Sequence, residues 1–150
     1  MMPMTGSGQE QPFRFWCKMN ENKLNVEVAA IKNETSERPI PTVWRLAFCQ
    51  IVDAFVRGDY LLHGGVAGVD TVSEEAASQI QSYLSDYGAT LKSLPDETWN
   101  SSVCIWTGNH WDVLVDLYTN EEGASDLLLS ARVNETSHGF KIEIHMVYVP

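Results

Sequence analysis

The chain has few cysteines, few basic residues and no long apolar run. Its three cysteines, Cys17, Cys49 and Cys104, are odd in number and widely spaced, so the sequence does not suggest a disulfide framework. No apolar run is long enough to span a bilayer, and no stretch has the basic start and apolar centre of a signal peptide. These absences predict a protein of a reducing compartment, the cytoplasm, with no membrane partner.

Acidic residues outnumber basic ones. Ten Lys and Arg stand against 20 Asp and Glu, giving a net charge of -10 at pH 7 and a pI near 4.7. Phosphate backbones repel such a surface, so we expect no nucleic-acid partner. An acidic surface attracts basic proteins and speeds their association, although many proteins are acidic simply to stay in solution. A basic protein partner is therefore one hypothesis, and solubility alone is the competing interpretation.

No catalytic or metal-binding spacing is present. The patterns HExxH, CxxC, GxSxG, the EF-hand and the phosphate-binding loop are all missing, although Leu61–Val69 is rich in glycine. Asp112 and Asp116 lie four residues apart on one predicted strand, which separates them by roughly 13 Å, too far to share a proton or a metal ion. Cys104 has no histidine beside it in the sequence. We therefore predict no catalytic residue, no metal ligand and no cofactor.

What the chain does contain is a C-terminal region with the alternation typical of β-strands. Apolar residues recur at every second position in Trp111–Thr119, Leu127–Asn134 and Phe140–Tyr148, and a shorter run lies at Ser102–Trp106. Glycine and asparagine separate these runs, as tight turns require. The pattern predicts a four-stranded antiparallel meander over 102–149. Its predicted inner face carries Val103, Ile105, Trp111, Val113, Val115, Leu117, Leu127, Leu129, Ala131, Val133, Phe140, Ile142, Ile144, Met146 and Tyr148.

The opposite face of the meander combines apolar, aromatic and charged residues. A three-residue loop would place Trp106 opposite Asp112, Asp112 opposite Arg132, and Arg132 opposite Lys141. Either a helix or an N-terminal hairpin covers this face as a second core, or the face is open and binds a partner. In the open case the candidate binding surface is Trp106, His110, Asp112, Asp116, Tyr118, Arg132, Glu143 and His145, with Leu114, Leu128 and Val147 among them.

Two amphipathic helices are predicted before the meander. The first, over 41–57, has an apolar stripe at helical spacing, begins at Pro41 and ends before Gly58. The second, over 72–87, follows a capping box formed by Thr71 and Glu74 and stops at Gly88. The stripes consist of Trp44, Ala47, Phe48, Ile51, Val52 and Phe55 in the first helix and of Ala76, Ile80, Tyr83, Leu84 and Tyr87 in the second.

The N-terminal region divides into a leader and a predicted hairpin. Residues 1–12 have no periodic pattern and are predicted to be disordered. Alternation in Phe13–Met19 and in Leu24–Ile31 predicts two strands, a hairpin over 13–33 that could extend the main sheet. The sequence thus predicts one α+β domain over 13–150, in which an antiparallel sheet of four C-terminal strands packs against two helices.

A series of short motifs runs from about Pro39 to the end of the chain. The motifs are VWR at 43–45, IVDAFV at 51–56, GDY at 58–60, DYG at 86–88, LP at 94–95, HWDV at 110–113, DL at 116–117, EG at 122–123, SDL at 125–127 and VYVP at 147–150, with Trp99 and Trp106 between them. With these motifs the chain resembles a bacterial domain family of unknown function. The likeness covers about three quarters of the chain, and it implies no activity and no catalytic residues. By general type, small acidic α+β domains also resemble immunity proteins of bacterial toxin systems.

Three functional hypotheses follow from these patterns. The preferred one is a non-enzymatic protein-binding module, an immunity-type inhibitor of a basic toxin or effector. The alternative is a small ligand-binding or hydrolytic domain with a pocket near the loop Gly64–Gly68, which reads as a flexible connection or as a short edge strand. The third is an oligomer that exchanges the strand Phe13–Met19. Both a monomer and a homodimer are compatible with the sequence.

Overall fold

A computed structural model describes residues 27–150. The predicted leader, the strand Phe13–Met19 and the start of the second predicted strand lie outside these residues. The helices are α1 (Thr42–Val56), α2 (Glu74–Tyr87) and a 3-10 helix (Asp96–Asn100). The strands are β1 (Arg38–Pro39), β2 (Leu91–Lys92), β3 (Val103–Trp106), β4 (Trp111–Thr119), β5 (Gly123–Thr136) and β6 (Gly139–Tyr148). In this part of the chain no helix has the length and apolar character needed to cross a membrane.

The strands form one antiparallel sheet. Its order is β1-β3-β4-β5-β6, and β2 pairs with β4 off this path, which makes six strands. The α+β class, the two helices and the antiparallel meander are therefore confirmed, while the predicted number of four strands is too low. β1 and β2 have two residues each, which is too short for an alternating pattern to reveal.

The described end of the predicted hairpin is not a strand. Residues 27–33 run past the start of α1, where Thr42 N donates to the Val28 carbonyl at 2.9 Å and Val28 N donates to Thr42 Oγ1 at 2.6 Å. Trp111 Nε1 donates to the Ile31 carbonyl at 3.1 Å. These backbone groups thus bond to a helix start and an indole, so the prediction of a strand is wrong over Glu27–Ile31.

Both helices lie within two residues of their predicted bounds, but the cap of α2 differs from the prediction. Ser73 is the N-cap residue, and its Oγ accepts a hydrogen bond from Ala76 N at 3.1 Å. The predicted capping box of Thr71 and Glu74 is therefore wrong, because the N-cap residue lies two positions after Thr71. Glu74 and Glu75 do lie in the first turn, where the positive end of the helix favours carboxylates. Gly88 ends α2 in the left-handed conformation, with φ at 84°.

The core lies between the helices and one face of the sheet, called here the inner face. In β4 and β5, side chains at every second position are almost fully buried, while their neighbours are half-buried or exposed. This is the alternation that a sheet covered on one side requires. The core contains Trp44, Phe48, Ile51, Val52, Phe55, Ala77, Ile80 and Leu84 from the helices, and Trp111, Val113, Val115, Leu117, Leu127, Leu129, Ala131, Val133, Ile142, Ile144 and Val147 from the sheet.

Strand β3 has the opposite orientation to the predicted one. Trp106 pairs with Trp111, and four residues, Thr107 to His110, make the connection instead of three. One extra loop residue turns every side chain of the strand to the other face. Cys104 is therefore buried on the inner face with Val113, and Val103 and Ile105 lie on the other side.

A bulge reverses the end of β6. Ala131 pairs with Ile144, but Ser130 pairs with Met146, so His145 is an extra residue in the ladder. Val147 consequently lies in the core at 0% exposure, while Met146 is 39% exposed. The predicted positions of Met146, Val147 and Tyr148 were wrong for this reason. Nothing in the alternation of the sequence marks the bulge.

The free edge of β6 is closed by side chains and by a loop. Gln79 of α2 pairs with both backbone groups of Val147: its Nε2 donates to the carbonyl at 2.7 Å, and its Oε1 accepts from the N–H at 3.2 Å. At the other end of the strand, Ile142 N donates to the Gly68 carbonyl, and Asp70 N donates to the Ile142 carbonyl. Unpaired strand edges invite pairing with other chains, so these bonds restrict that route of association.

Candidate functional site

The sheet face turned away from the helices is called the outer face. Neither α1 nor α2 packs on it, because both contribute to the core on the inner face. Of the alternatives for this face, cover by one of these two helices is therefore wrong, and cover by the predicted hairpin falls mostly outside the described residues. The side chains of the outer face are half-buried or exposed, unlike those of the inner face. The outer face consists of Val103, Ile105, Asp112, Leu114, Asp116, Tyr118, Leu128, Ser130, Arg132, Asn134, Lys141, Glu143, Met146 and Tyr148.

A charged row crosses one end of the outer face. Asp112 pairs with Arg132, as predicted, and Arg132 pairs with Glu143. The predicted pair of Arg132 and Lys141 is wrong because the turn between β5 and β6 is Ser137 and His138, which places Lys141 opposite Asn134. Opposite charges directly across a ladder stabilise the pairing of the strands.

The centre of the outer face is apolar. Leu114 pairs with Val103 on one side and with Ser130 on the other, and Ser130 pairs with Met146. Leu128 lies in the next row, between Asp116 and Tyr148. The side chains of Val103, Leu114, Leu128 and Met146 are partly open to solvent. A half-exposed apolar centre with carboxylates at its margin is the composition of an interaction surface.

Trp106 does not belong to this surface, although the sequence predicted it there. Its ring lies beside that of Trp111, with centroids 4.5 Å apart, on the inner side of the sheet. Lys32 covers it with Nζ 5.0 Å from the ring centroid, and the same ammonium pairs with Glu135 at 2.8 Å. Trp106 therefore closes the end of the core next to the β3–β4 connection.

His110 and Asp112 do lie together at the margin of the outer face. His110 Nε2 is 3.1 Å from Asp112 Oδ1, and its Nδ1 is 2.6 Å from Asn109 Oδ1. The Asp112 side chain remains 56% exposed. A carboxylate held in place by a neighbour and still open to solvent is well suited to accept a bond from a cationic partner.

Asp116 and Tyr118 lie further along β4. Ser101 Oγ donates to the Asp116 carboxylate, and Thr98 Oγ1 donates to its backbone carbonyl at 2.6 Å. Partial burial raises the pKa of Tyr118, and the nearby Glu97 and Asp116 carboxylates raise it further. Tyr118 therefore stays a neutral phenol, which can donate a hydrogen bond at an interface.

The remaining predicted residues lie at the β6 margin. Glu143 Oε2 accepts a bond from Asn134 Nδ2 at 3.2 Å, and Glu143 Oε1 is 3.9 Å from His145 Nε2. The side chains of Glu143 and His145 are 40% and 38% exposed. Of the eight predicted site residues, the structure thus groups Asp112, Arg132 and Glu143 in one row, with His110 and His145 at its two ends.

The outer face also contains residues that the sequence did not place there. The sequence predicted Val103 and Ile105 in the core because a three-residue β3–β4 loop was expected, and the loop has four residues. Met146 and Tyr148 were assigned there because the bulge is invisible in the alternation. Their common feature is apolar character at solvent-facing positions, which only the register reveals.

Cys104 lacks the surroundings of a nucleophile. Cys104 is buried, its Sγ lies 3.6 Å from the Pro39 carbonyl, and burial raises the pKa of the thiol to about 11 although Arg38 acts in the opposite direction. A thiolate is the reactive form of cysteine, so Cys104 is inert at neutral pH. Among the residues described, no three or more His, Cys, Asp or Glu side chains are arranged to hold a metal ion.

The glycine-rich loop is tied to the fold. Both oxygens of Asp59 accept backbone hydrogen bonds, from His63 N at 2.9 Å and from Gly64 N at 3.0 Å, and these bonds lower the pKa of the carboxyl group. Leu62 is buried, and Val69 forms a parallel bridge with Ile142 of β6. The sequence left two interpretations of this loop, a flexible connection and a short edge strand. The bridge of Val69 with Ile142 favours pairing with the edge of β6 at the end of the loop.

These features define a class: a two-layer α+β domain in which both α-helices of residues 27–150 pack on the same face of the sheet. Residues 52–150, about two thirds of the chain, match the family described as Domain of unknown function (DUF7668), and the chain belongs to that family. The match begins inside α1 and includes the whole sheet except β1. A search of curated proteins and a search of solved structures each gave no match.

Proposed function

We propose that this protein is a non-enzymatic binding module, of the immunity-inhibitor type, that holds a basic protein on its outer face. The observation that carries the proposal is the apolar centre of that face, formed by Leu114, Leu128 and Met146 next to the charged row of Asp112, Arg132 and Glu143. Interface centres are apolar and their rims polar, which matches this arrangement.

Charge supports the choice of a basic partner. The chain has a net charge of -10, and the Asp112 and Glu143 carboxylates are 56% and 40% exposed at the margin of the face. Such a field raises the association rate of a cationic protein and makes the rate fall as salt is added. Two copies of the chain carry the same net charge of -10, which disfavours self-association.

The closed sheet edges support binding through the face. Gln79 and the Gly68–Asp70 loop occupy the backbone groups of β6 at Val147 and Ile142. On the opposite side, β1 covers β3 and ends in Pro39, which has no N–H to offer another strand. The exchange of strands proposed as the third hypothesis would have to displace these contacts.

Affinity capture from the source cell tests the function. The tagged wild-type chain is compared with the variant D112N/E143Q, and E75Q/D86N removes the same two charges from exposed positions on α2. We expect a basic protein to be retained by the wild type and by E75Q/D86N, and to be lost from D112N/E143Q or from the wild type at high salt. A protein retained equally by all three chains would contradict binding through the outer face, and recovery of no protein at low salt would contradict the function.

A further inference from the structure

The charge of the chain is unevenly distributed between its N-terminal region and the domain. Residues 27–150 carry seven Lys and Arg against 18 Asp and Glu, a net charge of -11, while residues 1–26 carry three against two, a net charge of +1. All three basic residues of the first region, Arg14, Lys18 and Lys23, fall within Phe13–Lys23, called here the N-terminal stretch. The most basic part of the chain is thus joined to an acidic domain.

The N-terminal stretch is also the most aromatic part of the region that precedes the fold. It contains Phe13, Phe15 and Trp16, with Met19 shortly after them. Large apolar side chains that alternate with cations match a surface with an apolar centre and carboxylates at its margin. The outer face, with Leu114, Leu128 and Met146 near Asp112 and Glu143, is such a surface.

The described chain already makes one contact of this kind. Lys32 lies over the Trp106 ring and pairs with Glu135 of β5, so the N-terminal side of the chain binds an aromatic ring and a carboxylate of the sheet. Ile31 is fixed to Trp111 at the same end of the molecule. Val28, next to the first described residue, bonds to Thr42 at the start of α1, so the chain leaves the domain on the helix side, at the end of the sheet that carries the charged row.

The tether is long enough to reach the outer face. Seven residues separate Met19 from Glu27, and an extended chain advances by about 3.3 Å per residue. Layers of secondary structure pack about 10 Å apart, so an extended linker of roughly 23 Å covers about two such layer separations. A tethered segment also reaches its site at an effective concentration that a free peptide would match only in the millimolar range.

We propose that the N-terminal stretch packs across the outer face, with its aromatic side chains on the apolar centre and its cations near Asp112 and Glu143. The like charge of a second copy makes that copy a poorer occupant than the chain's own cationic segment. This packing does not depend on the proposed function. Its role as a competitor that a basic partner must displace rests on the function proposed above.

Disulfide trapping in the full chain tests this packing with a native thiol. Cys17 lies within the N-terminal stretch, whereas Cys49 and Cys104 are buried. Met146→Cys or Ser130→Cys places a partner thiol on the outer face, and Glu75→Cys places one on exposed α2 as the control. A disulfide requires Cα atoms within about 7 Å, so mild oxidation reports proximity.

We expect Met146→Cys or Ser130→Cys to form an intramolecular disulfide roughly tenfold faster than Glu75→Cys, because packing raises the local concentration of Cys17. Cys17→Ser should abolish the product, and R14E/K18E should slow its formation. Equal rates at all three positions would overturn the proposal, as would a predominance of disulfide-linked dimers. Trapping without capture of a basic partner would support the packing and contradict the proposed function. Capture of a basic partner without trapping would support the function and contradict the packing.

Discussion

At the scale of single residues, Trp44 joins the two layers of the domain. It is 2% exposed, and its ring lies edge-on to those of Trp111 and Phe140, with centroids 5.3 Å away in both cases. Its Nε1 is buried, and no residue of 27–150 accepts a hydrogen bond from it. The sequence predicted this position from helical spacing alone.

Trp44→Ala should lower the free energy of unfolding by about 3–5 kcal/mol, because it removes both burial and three-ring packing. Urea denaturation followed by circular dichroism measures the change. The neighbouring residue Val43 is 62% exposed, so Val43→Ala is the control and should stay within about 0.5 kcal/mol of wild type. Comparable losses in the two variants would contradict the orientation of α1, in which Trp44 faces the core and Val43 faces solvent.

Asp59 makes the stability depend on pH. The N–H groups of Gly64 and His63 lower the pKa of its carboxyl group, so its contribution is present above the unfolded pKa and disappears as pH falls through the lower folded pKa. Asp59→Asn should therefore have a lower urea midpoint than wild type at pH 7, and the gap should close below about pH 4. Asp86→Asn on α2 controls for the loss of one charge. A gap that persists to pH 2 would show that the charge of Asp59 contributes nothing.

At the scale of elements, the spacing of apolar residues and the turn residues between them predicted α1, α2 and the strands β3 to β6, because each of these elements buries one side. What they could not predict depends on single-residue shifts in register. The β3–β4 loop has four residues, Thr107 N bonds to the His110 carbonyl across it, and Trp106 turned inward as a result. His145 makes the β6 bulge through backbone geometry that no side-chain pattern encodes. The predicted outer-face placement of Trp106 and Val147 was wrong for these reasons, whereas the predicted pairing of Asp112 with Arg132 is confirmed.

Gln79 fixes α2 to the edge of β6, and its removal should be costly for a polar side chain. Gln79→Ala leaves the N–H and the carbonyl of Val147 without their partner, and we expect a loss of about 1–3 kcal/mol. Gln81→Ala, two residues further along the same helix and exposed, should have almost no effect. Faster amide exchange at Val147 in the first variant alone would assign the loss to the strand edge; equal exchange in both would contradict it.

At the scale of the whole molecule, one sheet serves two purposes. Its inner face supplies the core with two helices, and its outer face stays apolar at the centre without a described helix upon it. The excess of acidic residues over basic ones then acts on whatever approaches the outer face, and it favours cationic segments over a second copy of the domain. The chain's own N-terminal stretch and a basic partner are the two occupants proposed for this surface.

Two adjacent leucines of β5 test this division of the sheet most directly. Leu129 is 0% exposed on the inner face, and Leu128 is half-buried on the outer face. Urea denaturation should show Leu129→Lys destabilised by more than about 3 kcal/mol, because an unpaired ammonium cannot be buried in the core. Leu128→Lys should lose no more than about 1 kcal/mol, since the long side chain can carry its ammonium to the polar margin of the face even where the N-terminal stretch packs on it. Equal losses in the two variants would mean that both faces are core, and would contradict the account of an outer face that lies outside the core.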